Sequence, residues 1–346
     1  MWRMHKRLVG KIIDIDANFV HPDLVNSISY HVENATKRGV SMFVVPGSTL
    51  IDTQEAIKLM KSNPERYIAT AGVHPYNALA CEFNDENTAL LKHILTEANS
   101  AEANSNSVVS VGECGLDFSD GFPSKELQLP WFKYQVDLAC KLDLPLYFHV
   151  RAAHADFISV LDTVFPTRMA QAATSSVDSR DSTTAHVFSQ LSIMNSESVR
   201  LRGVVHCFTG DFDELCCYLD RGLYVGVTGH IMSHTAPGGV NGFKCLDSDR
   251  DLEMRRFLER ITLDRLMIET DAPYMGFSGC RVGETTDSPT PVNAKATKRN
   301  LTQKYPNVPS AIVLLIDYIH AITGWSKEDI ITQTTRNAIN LFGIKS

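Results

Sequence analysis

Short apolar segments alternate with longer amphipathic segments along the whole chain. Eight segments are short and apolar on both faces, as buried parallel strands are, over residues 12–16, 41–45, 67–73, 108–112, 145–149, 203–206, 223–227 and 265–269. Apolar residues at helical spacing lie between them, over 23–39, 53–60, 86–98, 125–142, 154–164, 213–221 and 250–260. Two more helices, 310–323 and 327–341, are predicted at the end. The alternation predicts an α/β fold.

The count of eight strands favours a closed (β/α)8 TIM barrel over an open doubly wound sheet, which would show the same alternation. Polar residues at the carboxyl ends of most strands also favour the barrel, because barrel active sites lie at that rim. We expect one domain over residues 12–346, preceded by an N-terminal arm over 1–11. Residues 167–200, rich in Ser, Thr, Ala and Gln, predict an inserted surface loop, and 276–307 predict a loop that contacts substrate.

Acidic and imidazole side chains stand at the ends of four predicted strands. Glu113 follows the fourth, His149 and His206 end the fifth and sixth, and Asp271 follows the eighth. Neighbouring strands lie about 4.8 Å apart, so that two imidazoles at the same height can reach one ion. A single such residue is more often structural, but the ordered set predicts a metal-assisted hydrolase in which Asp271 orients or deprotonates water. Glu269, two residues before Asp271 and deeper on the same face, would support the ligands.

Three other residues at the predicted rim suit contacts with phosphate. His74 follows the third strand, where phosphate contact is favoured over metal ligation and a turn-stabilising role is the alternative. Arg151 presents a planar fork that matches phosphate oxygens, and His154 lies where the next helix begins and its backbone N–H groups are free to bind anions. The alternative for Arg151 is an ion pair with Glu113 or Asp156.

Charge and cysteine usage limit the class of protein. The 346 residues carry a formal net charge of −7 at pH 7, so that any phosphate groups must be held by bound metal and a few local basic residues. The eight cysteines form no CxxC pair, which is typical of reduced thiols in a cytosol-like compartment. No apolar run approaches the roughly 20 residues of a membrane span. We expect a cytoplasmic monomer without membrane contact, with nuclear or mitochondrial location as alternatives.

Six ordered motifs resemble those of the TatD family of metal-dependent deoxyribonucleases, in the amidohydrolase superfamily. They are AGVHP at 71–75, GECGLDF at 112–118, HVR at 149–151, VHCFTG at 205–210, YVGVTG at 224–229 and IETDAPY at 268–274. The resemblance covers about residues 12–342. It implies a TIM barrel that binds two divalent ions and hydrolyses DNA phosphodiester bonds, often as a 3′→5′ exonuclease acting on single-stranded ends.

The resemblance also implies roles for individual residues. Glu113 would bridge the two metals, His149 and His206 would bind one ion, and Asp271 would bind the other and activate water. His74 would contact the scissile phosphate together with the arginine of the HVR motif. These roles agree with the chemistry expected from the residues themselves.

The first strand departs from the commonest pattern of the family. Many members have a His-x-His pair there, whereas this chain has Asp16 and Asn18. A branch that includes eukaryotic members also lacks the pair and typically retains only the Asn. Oxygen ligands favour a hard ion, so that Mg²⁺ is expected first, with Mn²⁺ or Zn²⁺ as alternatives. We expect Asp16 and Asn18 to contribute to a second, weaker metal site.

Two other functions remain open at this stage. One is a metal-dependent amidohydrolase or esterase acting on a small substrate; such enzymes often bridge their metals with a carbamylated lysine on strand four, where this chain has Glu113. The other is a catalytically weakened scaffold protein, which the presence of all four principal candidate ligands disfavours. The sequence leaves open the choice between DNA and RNA and the balance of exonuclease and endonuclease action.

Overall fold

Eight parallel strands and the helices between them make up the described part of the chain. The computed structural model describes residues 10–99, 108–165, 200–232, 249–277, 279–281 and 306–344. The strands are β1 Ile12–Asp14, β2 Val40–Val45, β3 Tyr67–Ala69, β4 Val111–Asp117, β5 Leu146–Arg151, β6 Gly203–Val205, β7 Tyr224–Val227 and β8 Leu266–Ile268. Nearly all of the predicted arm 1–11, of the predicted insertion 167–200 and of the predicted loop 276–307 lies outside the described residues.

The helices follow the strands in the predicted order. They are α1 Pro22–Val25, α2 Ile28–Lys37, α3 Leu50–Ser62, α4 Asp85–Ala98, α5 Lys125–Leu142, α6 His154–Val164, α7 Phe212–Asp220, α8 Asp249–Ile261, α9 Ile312–Thr323 and α10 Lys327–Phe342. Five of the described helices begin at a side chain that accepts a backbone N–H of the first turn, namely His21, Thr49, Asn84, Asp211 and Ser326. Such capping fixes where each chain segment leaves the rim and turns into its helix.

The strands close into a barrel. Strands β1 to β3 pair in order, and so do β4 to β8, all in parallel. Backbone hydrogen bonds join the two sets at both seams. Asp271 N donates to Asp16 O at 3.0 Å beyond the ends of β8 and β1, and Gly112 N donates to Ala71 O at 2.9 Å between β4 and β3. The predicted (β/α)8 barrel is therefore confirmed.

Apolar side chains from every second strand position fill the lumen, as in other barrels of this kind. The strand residues of this cluster are Ile13, Ile15, Met42, Val44, Ile68, Tyr147, Val204 and Met267. Helix α10 packs against β1 and β8, and its Ile339, Leu341 and Phe342 join the cluster at the amino end. The packed lumen leaves the carboxyl end of the barrel as the place where polar side chains converge.

Several predicted boundaries differ from the structure: the first and third strands end at Asp14 and Ala69, earlier than predicted, and two further differences concern a helix and the fourth strand. The single helix predicted over 23–39 is broken into α1 and α2, because Asn26 ends one helix and Ser27 leaves the helical conformation, with φ −136°. The fourth strand starts and ends later than predicted, so that Glu113 lies inside β4 rather than after it. In the described part of the chain, no helix is both long enough and apolar enough to cross a membrane.

Candidate metal centre

The register between β5 and β6 places His149 and His206 at the same height. Phe148 pairs with Val205, so that the two histidines, one residue further on, face each other. His149 Nδ1 lies 3.3 Å from His206 Nε2. Ligand atoms around one ion with bonds of about 2.1 Å stand about 3 Å apart, which is close to this separation. The geometry is the one that the sequence predicted, and ligation itself stays a prediction.

Glu113 brings a carboxylate to the same point. Its Oε1 atom lies 2.8 Å from His206 Nε2 and 3.9 Å from His74 Nε2. One ligand atom from each of His74, Glu113 and His149 lies within 4.8 Å of the other two. The donor set of imidazole nitrogen and carboxylate oxygen suits a divalent metal. The residues present therefore fit such an ion.

Two glycines let β4 approach β5 closely enough to form this cluster. Gly112 and Gly115 have φ values of 147° and 149°, which side chains rarely adopt. A Cβ atom on Gly112 would collide with the carbonyl oxygen of Tyr147, and one on Gly115 with that of His149. Glu113 is the predicted metal ligand of this motif. The two glycines allow the backbone of β4 to bring its carboxylate close to the histidines.

A buried carboxylate orients His149. Asp117 Oδ2 lies 2.9 Å from His149 Nε2, and Asp117 is fully buried at the end of β4. Because an ionised carboxylate only accepts, the ring donates from Nε2 and its Nδ1 lone pair is free to bind a metal. Nδ1 is the atom that faces His206.

Two more carboxylates surround the other side of His206. Its Nδ1 atom lies 3.3 Å from Asp16 Oδ2 and 3.7 Å from Glu269 Oε2, although neither oxygen is well aligned for a hydrogen bond. The Tyr147 hydroxyl lies 2.9 Å from Asp16 Oδ2 and 3.0 Å from Glu269 Oε2. The nearby carboxylates favour a proton on Nδ1, and Nε2 of His206 carries one as well and donates it to Glu113, so that a metal ion would displace the proton on Nε2. Glu269 is thus placed as expected, behind the candidate ligands.

The ring of His74 carries its proton on the nitrogen that faces the cluster, unlike the ring of His149. Its Nδ1 accepts a hydrogen bond from the backbone N–H of Tyr76 at 3.0 Å, at the start of a short 3-10 helix over Pro75–Asn77. A neutral ring that accepts at Nδ1 carries its proton on Nε2, which faces Glu113. His74 is therefore set up as a hydrogen-bond donor, whereas His149 and His206 are set up as ligands.

Asn18 connects the two aspartates at the seam between β8 and β1. Its Nδ2 group donates to Asp16 Oδ1 and to Asp271 Oδ1, both at 3.0 Å. Asp271 has a left-handed φ of 54°, and such strain is typical of functional positions. The structure thus brings Asp16, Asn18 and Asp271 together. It does not test whether any of them holds a metal.

The charges of the cluster act strongly on one another. Burial opposes ionisation of Glu113, but His74 and His206 outweigh it and lower its pKa to about 2. Burial likewise disfavours the charged form of His206, but Glu113 and the carboxylates at Nδ1 raise its pKa well above the usual value. Burial and the nearby His149 lower the pKa of His74 to about 3. The negative field around His206 favours a cation at this point.

Arg151 and His154 lie further out than the cluster. Arg151 is exposed at the end of β5, and its guanidinium forms no ion pair or hydrogen bond with a described residue. The alternative pairing with Asp156 does not occur, because Asp156 pairs with Lys125 at 2.6 Å. His154 Nδ1 lies 2.9 Å from the Tyr218 hydroxyl, which directs this ring toward α7. Phosphate contacts by Arg151 and His154 stay predictions.

Sequence reasoning missed three residues that support the cluster. Asp117 follows Glu113 and Gly115 at a spacing of two, so that the strand period was a usable signal for it. Asp14 accepts from Thr270 N and Thr270 Oγ1 at 2.9 Å and 2.6 Å. Tyr147 bonds across the lumen to residues more than 120 positions away, for which no local signal exists.

Comparisons with known proteins agree with the fold and the motifs. The family model of TatD related DNase matches residues 13–343. A "3'-5' ssDNA/RNA exonuclease TatD" of Erwinia tasmaniensis is 28% identical over 96% of this chain and 100% of its own length, and one of Edwardsiella piscicida is 31% identical over 76% of this chain and 80% of its own.

Solved structures show the same fold at lower identity. The TatD homologue YJJV of Escherichia coli K12 has a TM-score of 0.65 at 22% identity, covering 96% of this chain and 98% of its own. A hydrolase of the TatD family from Entamoeba histolytica has a TM-score of 0.66 at 23% identity, covering 98% and 100%. With the family model matched over nearly the whole chain, this protein belongs to the TatD related DNase family.

Proposed function

We propose that this protein is a metal-dependent nuclease that hydrolyses phosphodiester bonds of DNA at the carboxyl end of its barrel, from the 3′ end. The observation that carries the proposal is the convergence of His149 Nδ1, His206 Nε2 and Glu113 Oε1 at one point, in a chain of this family. The direction of cleavage is supported by relatives named 3'-5' ssDNA/RNA exonuclease. Those names also make RNA a substrate to be tested.

Glu113, His149 and His206 would hold one divalent ion, and Asp271 with Asp16 and Asn18 would hold a second, with Glu113 as the bridge. A bound divalent ion polarises a phosphoryl oxygen and lowers the pKa of an attacking water. Mg²⁺ is the ion we expect first, since the second set consists of oxygen donors, and Mn²⁺ or Zn²⁺ are the alternatives.

Asp271 is the proposed base. Burial and the neighbouring Asp16 raise the pKa of Asp271 well above its usual value, because its negative charge is costly there as long as no cation neutralises it. The Asn18 amide donates to Oδ1 of Asp271, and no described side chain donates to Oδ2, which would accept the proton of the attacking water. This carboxylate would also orient that water toward phosphorus.

His74 and Arg151 are the proposed phosphate contacts. The backbone hydrogen bond to Nδ1 leaves the Nε2–H of His74 as a donor beside Glu113, where it would meet a nonbridging phosphate oxygen. Arg151 would reach the phosphate chain from the rim with a guanidinium that makes no bond to the described residues. His154 would take part only if it turned away from Tyr218.

The small-substrate amidohydrolase is not favoured, because the bridging position on β4 holds Glu113 instead of a lysine. We further propose that the protein acts in the cytoplasm, which its scattered cysteines without a CxxC pair support, and that it is a monomer. The oligomeric state and the compartment do not affect the proposed hydrolysis.

The proposal is tested with metal-stripped protein and single-stranded DNA oligomers labelled at the 5′ or the 3′ end. Mg²⁺, Mn²⁺ or Zn²⁺ is added back, and an RNA oligomer of the same sequence is run in parallel. We expect a metal-dependent ladder from the 5′-labelled oligomer that shortens with time, and early release of the label from the 3′-labelled one. Absence of cleavage with every metal, with enzyme in excess over substrate, would overturn the proposal.

A further inference from the structure

We propose that Tyr76 and Phe122 form a stacking platform for a base that flanks the scissile phosphate, and that this platform selects single-stranded ends. The inference rests on the proposed nuclease function and adds to it the way in which the polymer is held. The two residues lie at the rim in the segments that follow β3 and β4, and neither was singled out by the sequence analysis.

The rings form a continuous series with the metal cluster. The ring of Phe122 stacks on that of His149 at 6.3 Å between centroids, with 18° between planes. The ring of Tyr76 meets Phe122 edge to face at 5.3 Å, and His74 lies 6.3 Å from Phe122. An aromatic surface therefore begins at a candidate metal ligand and extends outward along the rim.

Tyr76 has the exposure and the bonding of a contact residue. Its side chain is 43% exposed, and its hydroxyl forms no hydrogen bond with a described residue. The backbone of Tyr76 is nevertheless fixed, because its N–H donates to His74 Nδ1 at 3.0 Å. A large, partly exposed ring that is carried by a fixed backbone and packed against Phe122 beside the candidate metal centre is suited to stacking on a base.

The charge of the protein makes such a platform useful. With a formal net charge of −7, the chain as a whole does not attract a polyanion through its overall charge. Stacking of bases on aromatic rings is independent of charge and tolerant of sequence, since every base has a π face. Affinity for the polymer would then come from metal contacts at the phosphate and from ring contacts at the base.

The platform would favour single strands over duplexes. A base in a duplex is already stacked between its neighbours and paired, so that it must be unstacked before it can lie on Tyr76. A base at a single-stranded end is free to do so. The chemistry of the platform therefore points to unpaired ends, of DNA or of RNA, as the substrate class.

The test resembles a double-mutant cycle, in which one change removes the Tyr76 ring from the protein and the other removes a base from the oligomer. Wild-type protein and Tyr76→Ala are assayed with a single-stranded oligomer that is intact, or abasic at the terminal or the penultimate 3′ nucleotide. We expect Tyr76→Ala to lower kcat/KM on the intact oligomer roughly 5- to 150-fold, the ordinary range for loss of one stacked base. One abasic position should cause a similar loss in wild type and little further loss in Tyr76→Ala.

Two variants serve as controls. Tyr76→Phe keeps the ring and should recover most of the rate that Tyr76→Ala loses on the intact oligomer. Leu79→Ala removes an apolar side chain that is 70% exposed in the same segment, and it should behave as wild type. Phe122→Leu tests the second ring, and its metal affinity is measured alongside because Phe122 contacts His149.

The outcomes separate this inference from the proposed function. Wild-type protein that cleaves none of the oligomers refutes the nuclease and the platform together. Wild-type protein that cleaves the intact and both abasic oligomers equally, or losses from ring and base that simply multiply, overturns the platform alone.

Discussion

Asp117 Oδ2 lies 2.9 Å from Nε2 of His149, so that one buried carboxylate decides which nitrogen of the ring faces the candidate metal centre. Asp117 would not touch the metal or the substrate. It acts by holding the tautomer and the orientation of His149, and by making its Nδ1 more basic. Asp117 is the last residue of β4, the strand that also carries Glu113.

Asp117→Asn should therefore weaken metal binding by roughly 10- to 100-fold, the usual effect of removing such a partner. The substitution keeps the shape of the side chain and an oxygen that can accept from Ser119 N. Metal affinity is measured by calorimetric titration with Mn²⁺. Asp156→Asn, at a carboxylate that pairs with Lys125 near the same rim, should leave the affinity unchanged. Equal affinities of Asp117→Asn and wild type would show that His149 is not a ligand.

Tyr147→Phe should destabilise the protein. The hydroxyl is fully buried between Asp16, Glu269 and the carbonyl oxygen of Ile15, which share its single proton, so that its removal takes away a buried donor and leaves one of these oxygens without a partner. The expected loss is about 1–3 kcal/mol in the free energy of unfolding, measured by denaturant titration. Tyr134→Phe removes a hydroxyl that donates to Thr88 O in a half-buried position and should cost less. A larger loss from Tyr134→Phe would argue against the buried network.

Metal binding should strengthen as the pH rises through the neutral range. Despite burial, Glu113 and the carboxylates at Nδ1 raise the pKa of His206, so that the ring is protonated at neutral pH before a metal binds. A metal ion must displace this proton, which lowers the affinity by about tenfold for each unit below that pKa. Calorimetry in two buffers of different ionisation enthalpy detects the released proton. A binding heat that is the same in both buffers would contradict the assignment of His206 as a ligand.

Local sequence signals were sufficient to predict the barrel and to place the main candidate residues at the ends of its strands. The strand period, the count of eight and the polar residues that follow the strands all depend on neighbours in sequence, and the seams at Asp16–Asp271 and Ala71–Gly112 close as expected. The break at Asn26 and Ser27 was missed because the residues on both sides have helical spacing, and only these two residues interrupt the helix.

The supporting network could not be read from the sequence in the same way. Tyr147 meets Asp16 and Glu269 only after the barrel has closed, because the three residues come from β5, β1 and β8. The distinction between His74 as a donor and the other two histidines as ligands depends on which ring nitrogen is already bonded, which spacing does not encode. Asp117 could have been predicted, because its spacing from Glu113 is a multiple of two and places both side chains on the same face of the strand.

The most direct test of the metal-dependent nuclease is the rate of cleavage of a 5′-labelled single-stranded oligomer as metal is titrated into stripped protein. Wild type is compared with Glu113→Gln and Asp271→Asn, which keep the size of each side chain and remove its charge. The account predicts that cleavage by wild type rises with bound metal, that both variants lose nearly all turnover, and that chelator abolishes the reaction. Near-normal turnover by either variant with Mg²⁺, or cleavage that persists in chelator, would contradict the account.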